Sequence, residues 1–114
     1  MDASKGKAGR FTVVITQTGE RTLKEVLKKR GRQAVEQLRV IIQGLAEDPE
    51  QKTQPLTGML AGFRSLHSGR FRIVIRIVHK QVRVYIVGVG WHASGSRDDV
   101  YEVLARMIRA GRLE

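Results

Sequence analysis

The stretch "RFRIVIRIVHKQVRVYIVGVGW", Arg70 to Trp91, decides the fold. Two β-branched runs flank a short polar break, His79-Lys80-Gln81, which is the signature of a hairpin. In the first run Phe71, Ile73, Ile75 and Ile77 alternate with Arg72, Val74, Arg76 and Val78. Successive strand residues point to opposite sides, so this run has an aliphatic face and a face carrying arginine. Loop length decides which side of the second run joins the aliphatic face. If Lys80 and Gln81 alone form the loop, His79 faces Val82 and Ile77 faces Val84. Phe71, Ile73, Ile75 and Ile77 then share a face with Val82, Val84 and Ile86. A three-residue loop would instead bring Arg83 and Tyr85 into that face, and an unpaired buried guanidinium is costly. The two-residue register is therefore expected. It places Arg72, Val74, Arg76, Val78, Arg83, Tyr85, Val87 and Val89 together on a basic, at least partly open face.

Working outward, a short strand is expected at Phe63 to His67, followed by a turn at Ser68-Gly69. "FTVVIT", residues 11–16, reads as a first strand. Leu23, Val26 and Leu27 then recur at helical spacing, and Gly31 ends that helix behind Lys28, Lys29 and Arg30. A second helix follows, with Val35, Leu38, Ile41, Ile42 and Leu45 on one side, and stops before Pro49. A third has Val100, Val103, Leu104, Met107 and Ile108 as its stripe, with Ser96 as N-cap and Asp99 three residues on. The expected architecture is α+β: an antiparallel β-sheet with an N-terminal helical hairpin packed on one face and a C-terminal helix. Residues 1–114 read as one domain, with residues 1–10 as a flexible N-terminal extension.

The chain carries 21 Lys and Arg against 11 Asp and Glu, a formal charge of +10. The excess is concentrated. No acid lies between Gln51 and Arg97, a span that holds Lys52, Arg64, Arg70, Arg72, Arg76, Lys80, Arg83 and Arg97. A solvated surface mixes signs, so this segment reads as built to meet a polyanion. There is no cysteine, hence no disulfide and no thiolate metal site. The polar start of the chain reads as neither signal peptide nor membrane anchor, and no apolar run approaches the roughly 20 residues of a membrane helix. A cytoplasmic location and no membrane partner are expected.

Only three histidines are present, His67, His79 and His92, and the middle of the chain has no carboxylate to join them. No metal site and no cofactor are expected. "GVGW" is followed by "HASGS", which lacks the pattern of a phosphate-binding glycine loop. What remains near the basic face is arginine, histidine and tyrosine, a set suited to a phosphodiester. Arginine grips phosphate oxygens in a fork and stabilises charge that builds in a transition state. Histidine moves protons near neutral pH. RNA brings its own nucleophile, the 2′-hydroxyl. Each residue also has a plainer reading: Arg72 and Arg76 as solvated strand residues, Tyr101 as a helix-edge packing residue, His92, His67 and His79 as inert, Trp91 and Tyr85 as structural.

Four blocks in this order, "TGERTLKEVLKKRGRQAVEQLRVIIQGLAEDP", "PLTGMLAGFRSLHSGRFRIVIRI", "VRVYIVGVG" and "DDVYEVLARMI", resemble the RelE/ParE superfamily of type II toxins. The resemblance runs from about Phe11 to Ile108. It implies a compact RelE-like, microbial-RNase-like fold and a toxin held in check by a cognate antitoxin. RelE-like members cut mRNA in the ribosomal A site without metal; ParE-like members inhibit DNA gyrase and lack the catalytic set. Position by position, the resemblance matches Arg72 to the arginine at the scissile phosphate, Arg64 to a basic residue on the preceding strand, and Tyr101 to a C-terminal tyrosine. A second expected base falls at Leu66, beside His67. The arginine expected after the Val-Gly strand end falls near Trp91-His92, so His92 or Arg97 takes that place. The implied function is a ribosome-dependent mRNA endonuclease, with Arg72, Arg64, Tyr101 and His92 catalytic and Arg76, Arg83, Lys80, Arg97, His67 and Arg70 binding RNA. The alternatives are a gyrase inhibitor without nuclease chemistry and a non-toxic relative that only binds.

Overall fold

The computed structural model describes residues 10–113. The chain runs β1 (Thr12–Ile15), α1 (Gln17–Arg30), α2 (Arg32–Gly44), a single helical turn α3 (Pro49–Lys52), β2 (Gln54–Pro55), β3 (Arg64–Ser68), β4 (Phe71–Val78), β5 (Arg83–Trp91) and α4 (Val100–Arg109). The α+β architecture is the expected one: a helical hairpin on one sheet face and a terminal helix. The strand order is β1-β5-β4-β3-β2. The sheet is mixed rather than wholly antiparallel, because β1 pairs parallel with β5, Thr12 opposite Arg83 and Ile15 opposite Ile86. Arg10 is tied down by an ion pair to Glu47 at 2.7 Å. The rest of the expected N-terminal extension, residues 1–9, lies outside the described residues.

Thr16 turns the chain from β1 into α1. Its backbone N–H and its hydroxyl both donate to the Ile86 carbonyl, at 3.1 and 3.0 Å, and its hydroxyl oxygen accepts from Gly19 N–H as an N-cap. A Cβ on Gly19 would stand 2.3 Å from that same carbonyl, so only glycine lets α1 lie this close to β5. Gly31, at φ +95°, ends α1 and opens α2. Leu23, Val26, Val35, Leu38, Ile42 and Leu45 bury against Ile73, Ile75, Val84, Ile86 and Val89 as the main core. Leu27, expected in that stripe, is instead 46% exposed.

The β4–β5 hairpin corrects the sequence reading in two places. The loop is longer than Lys80-Gln81: His79–Gln81 form a 3-10 turn, Val82 takes a left-handed conformation at φ 52°, and Val78 pairs with Arg83. Adding one residue on each side preserves parity, so Ile77 still faces Val84. His79 and Val82 do not pair, and Val82 is exposed rather than on the aliphatic face. Further along, Ile75 pairs with Ile86 but Val74 pairs with Gly88, leaving Val87 as the extra residue of a β-bulge. The bulge moves Val89 to the main core, opposite Ile73.

The second sheet face is less open than expected. Val74, Val87, Leu60, Val100 and Leu104 form a second core under α4. A Cβ on Gly88 would lie 2.7 and 2.8 Å from the Leu104 methyls, and one on Gly90 3.0 Å from Val100. These two glycines are the seat of α4. The helix starts later than Ser96: Asp99 is its N-cap, accepting from Tyr101 N–H, while Ser96 accepts from Asp98 N–H in the preceding turn.

Candidate active site

The site lies on the α4 side of the sheet, where β3, β4 and β5 end beside the first turn of α4. Arg72 pairs across the ladder with His67 on β3 and Gly90 on β5, so all three belong to this face. Arg72 is clamped over the β3–β4 turn: its Nη1 donates to the Gly69 carbonyl at 2.9 Å and the Phe71 carbonyl at 3.0 Å. Its Nε is buried and has no acceptor among the described residues. A buried, charged donor left unpaired is costly.

His67 stands on the edge of the same patch. Partial loss of solvent, then the Arg72 charge and that of His92 whenever it is protonated, lower its pKa below the usual 6.5. The ring is therefore neutral at pH 7 and offers an acceptor nitrogen. Arg72 lies directly across the ladder from His67, and His92 is also within electrostatic reach of His67.

Beyond Trp91 the chain leaves β5, and His92 N–H bonds the Arg70 carbonyl at 2.7 Å, which anchors the loop to the sheet. The His92 ring is edge-on to Tyr101, centroids 5.2 Å apart. Tyr101 enters from α4, and its hydroxyl bonds the buried Ser65 hydroxyl of β3 at 2.8 Å. Arg72, His67, His92 and Tyr101, far apart in sequence, thus share one corner.

Arg64 is not brought to this corner. It pairs with Ile75, which puts it on the helical-hairpin side of the sheet. Its guanidinium is spent on the α3–β2 loop: Nε donates to Thr53 Oγ1 at 2.8 Å, and Nη2 to the Thr53 and Glu50 carbonyls at 3.0 and 3.1 Å. Arg76 is exposed on the α4 side, about 13 Å along β4 from Arg72 at strand spacing. Lys80 and Arg83 are exposed around the hairpin tip, where Arg83 Nη1 donates to the Tyr85 hydroxyl at 3.3 Å. Arg70 is exposed with its guanidinium 5.4 Å from the Trp91 ring centre, on whose ring Arg30 stacks at 3.7 Å. Arg97 is exposed in the loop before α4, where its carbonyl accepts from Arg106 Nη2.

Two polar residues of the corner escaped sequence reasoning. Ser65 carries no local motif; only the β3–α4 contact selects it. Asp99 was visible as an acid beside a helix start, but its bond to His92 across seven residues was not. A cleft of about 540 Å³ lies between α1, the C-terminal half of β5 and the start of α4, lined among others by Lys29, Arg30, Trp91 and Asp98; Arg72, His67 and Tyr101 do not line it. Among the described residues, no three His, Asp or Glu converge as metal ligands, and no helix is long and apolar enough to cross a membrane.

A family model described as "ParE toxin of type II toxin-antitoxin system, parDE" matches residues 13–94. No curated protein matches the sequence. Among solved structures, the chain is similar to one from the toxin–antitoxin complex RelBE2 of Mycobacterium tuberculosis. Identity is 27% over 75% of this chain and 94% of that one, with a TM-score of 0.65. A YoeB/ParE toxin from Agrobacterium tumefaciens is 22% identical over 73% of this chain and 100% of its own, TM-score 0.58. A mutant of the E. coli toxin RelE in the free state is 24% identical over 89% and 97%, TM-score 0.57. The last two likenesses concern the fold.

Proposed function

Because the chain belongs to the ParE toxin family of type II toxin–antitoxin systems, within the RelE/ParE fold, we propose that it poisons translation as an mRNA endonuclease acting in the ribosomal A site. The observation that supports this most directly is the Arg72 guanidinium, clamped at one nitrogen and unsatisfied at another, beside a neutral histidine, a second histidine and a tyrosine.

In this reading Arg72 holds the scissile phosphate and neutralises the charge added in the pentacovalent transition state. An acceptor nitrogen of His67 or His92 takes the 2′-hydroxyl proton as the oxygen attacks phosphorus. A donor at the same corner, the Tyr101 hydroxyl among them, protonates the departing 5′-oxygen. Arg76, Arg83, Lys80, Arg70 and Arg97 hold the rest of the RNA and the ribosomal surface. Arg64 supports the loop it bonds rather than the phosphate. A cognate antitoxin is the partner that keeps the toxin silent.

The second reading is gyrase inhibition. It draws support from the matched family model and from Arg64, whose absence from the corner leaves Arg72 as the arginine there. Mapping mRNA ends in a translating extract separates the two. A-site cuts that disappear in Arg72→Ala support cleavage; intact mRNA together with trapped gyrase–DNA complexes overturns it.

A further inference from the structure

Asp99 is 3% exposed, yet both its oxygens are occupied. Oδ2 accepts from Tyr101 N–H at 3.0 Å, the usual work of a helix N-cap. Oδ1 faces the other way and takes two further groups, Ala93 N–H at 2.7 Å and His92 Nδ1 at 2.5 Å. Capping accounts for the first oxygen only. We infer that Asp99 is a positioning residue, which locks His92 in the tautomer protonated at Nδ1 and leaves Nε2 as a bare acceptor at the site.

A carboxylate accepts and does not donate, so the short contact assigns the proton to Nδ1. In the neutral ring the other nitrogen then carries the lone pair, and among the described residues no protein atom bonds it. Orientation is fixed as well as protonation. The His92 backbone is held by the Arg70 carbonyl, the next residue by Asp99, and the ring by Asp99 on one side and the Tyr101 edge on the other. One carboxylate therefore links the loop that carries His92 to the helix that carries Tyr101. Free imidazole prefers the Nε2-protonated form, which would offer a donor here instead of an acceptor. For His92 to serve as base through Nε2 the preference must be reversed, and the buried carboxylate reverses it. The consequence for cleavage rests on the nuclease reading above; the tautomer does not.

The decisive variant is Asp99→Ser. Serine retains the capping acceptor but is too short to reach His92. Nitrogen-15 NMR of the ring, at about pH 8.5 where imidazole is neutral, should show His92 protonated at Nδ1 in the wild type. It should shift towards the Nε2-protonated form in Asp99→Ser, with α4 still folded by amide chemical shifts. Wild-type His92 protonated at Nε2, or a tautomer unchanged in the variant, overturns the inference. In the cleavage assay Asp99→Ser should lose on the order of 100-fold and have no further effect in a His92→Ala background. An equal loss in that background would show that Asp99 acts on the fold rather than through His92. Wild-type protein that cuts no RNA would sink the nuclease reading, and the NMR result would still decide the tautomer.

Discussion

The seat of α4 gives the sharpest quantitative test. Gly88 Cα faces Leu104, and an added Cβ would lie 2.7, 2.8 and 3.2 Å from its Cδ1, Cδ2 and Cγ. Leu104 is fully buried, so its methyls have nowhere to go. Gly88→Ala should therefore carry an over-packing penalty of about 1–3 kcal/mol. The gain from removing a strand glycine, about 0.5–1 kcal/mol, offsets part of it. Leu104→Ala alone should cost about 2–5 kcal/mol, as buried leucines do. In the double variant the methyl introduced by Gly88→Ala enters the space that Leu104 vacated, the clash is gone, and Gly88→Ala becomes neutral or mildly stabilising. The two changes should thus fall short of additivity by about 1–3 kcal/mol, well beyond the ~0.5 kcal/mol scatter of independent sites. Urea unfolding followed by far-ultraviolet circular dichroism measures all four proteins, and equal m-values confirm that the same transition is compared. Additive costs would refute the packing argument. Function should follow: Tyr101 rides on the same helix three residues earlier, so Gly88→Ala should loosen its bond to Ser65.

Arg64→Ala should lower stability by about 1.5–3 kcal/mol, the range for hydrogen bonds to a charged group, because it frees the α3–β2 loop, whereas exposed Arg76→Ala should change it by less than about 0.5 kcal/mol; equal effects in urea melts would contradict the structural part given to Arg64. His67 predicts a pH dependence. Its folded pKa lies below the ordinary 6.5, so the unfolded chain binds the proton more readily. Its contribution is fully present above about pH 6.5 and is lost as pH falls through the lowered folded value. Urea midpoints at acidic and alkaline pH should converge in His67→Gln relative to wild type, and an unchanged difference would remove His67 as the cause.

What the amino-acid sequence determined is whatever nearest neighbours encode. The alternation from Phe71 to Ile77 specifies a strand with one aliphatic face, and the structure buries Ile73 and Ile75 there. The stripe Val35, Leu38, Ile42, Leu45 specifies α2, and Gly31 specifies the break before it. The ordered blocks point to the family. Even the wrong loop length left Ile77 opposite Val84, because parity alone decides a face.

What only tertiary structure decided depends on contacts between distant residues. The parallel place of β1 follows from which sheet edge remains free beside β5. The β-bulge that sends Val89 to the main core inserts one residue into β5 without a distinct local pattern. Arg64 and Arg72 look alike in sequence, but strand pairing sends one to the hairpin face and the other to the candidate site. Asp99 read as the acid three residues after a Ser96 cap because capping is local. Its second oxygen meets His92 only because β5 and α4 converge, and that geometry has no counterpart in the order of residues along the chain.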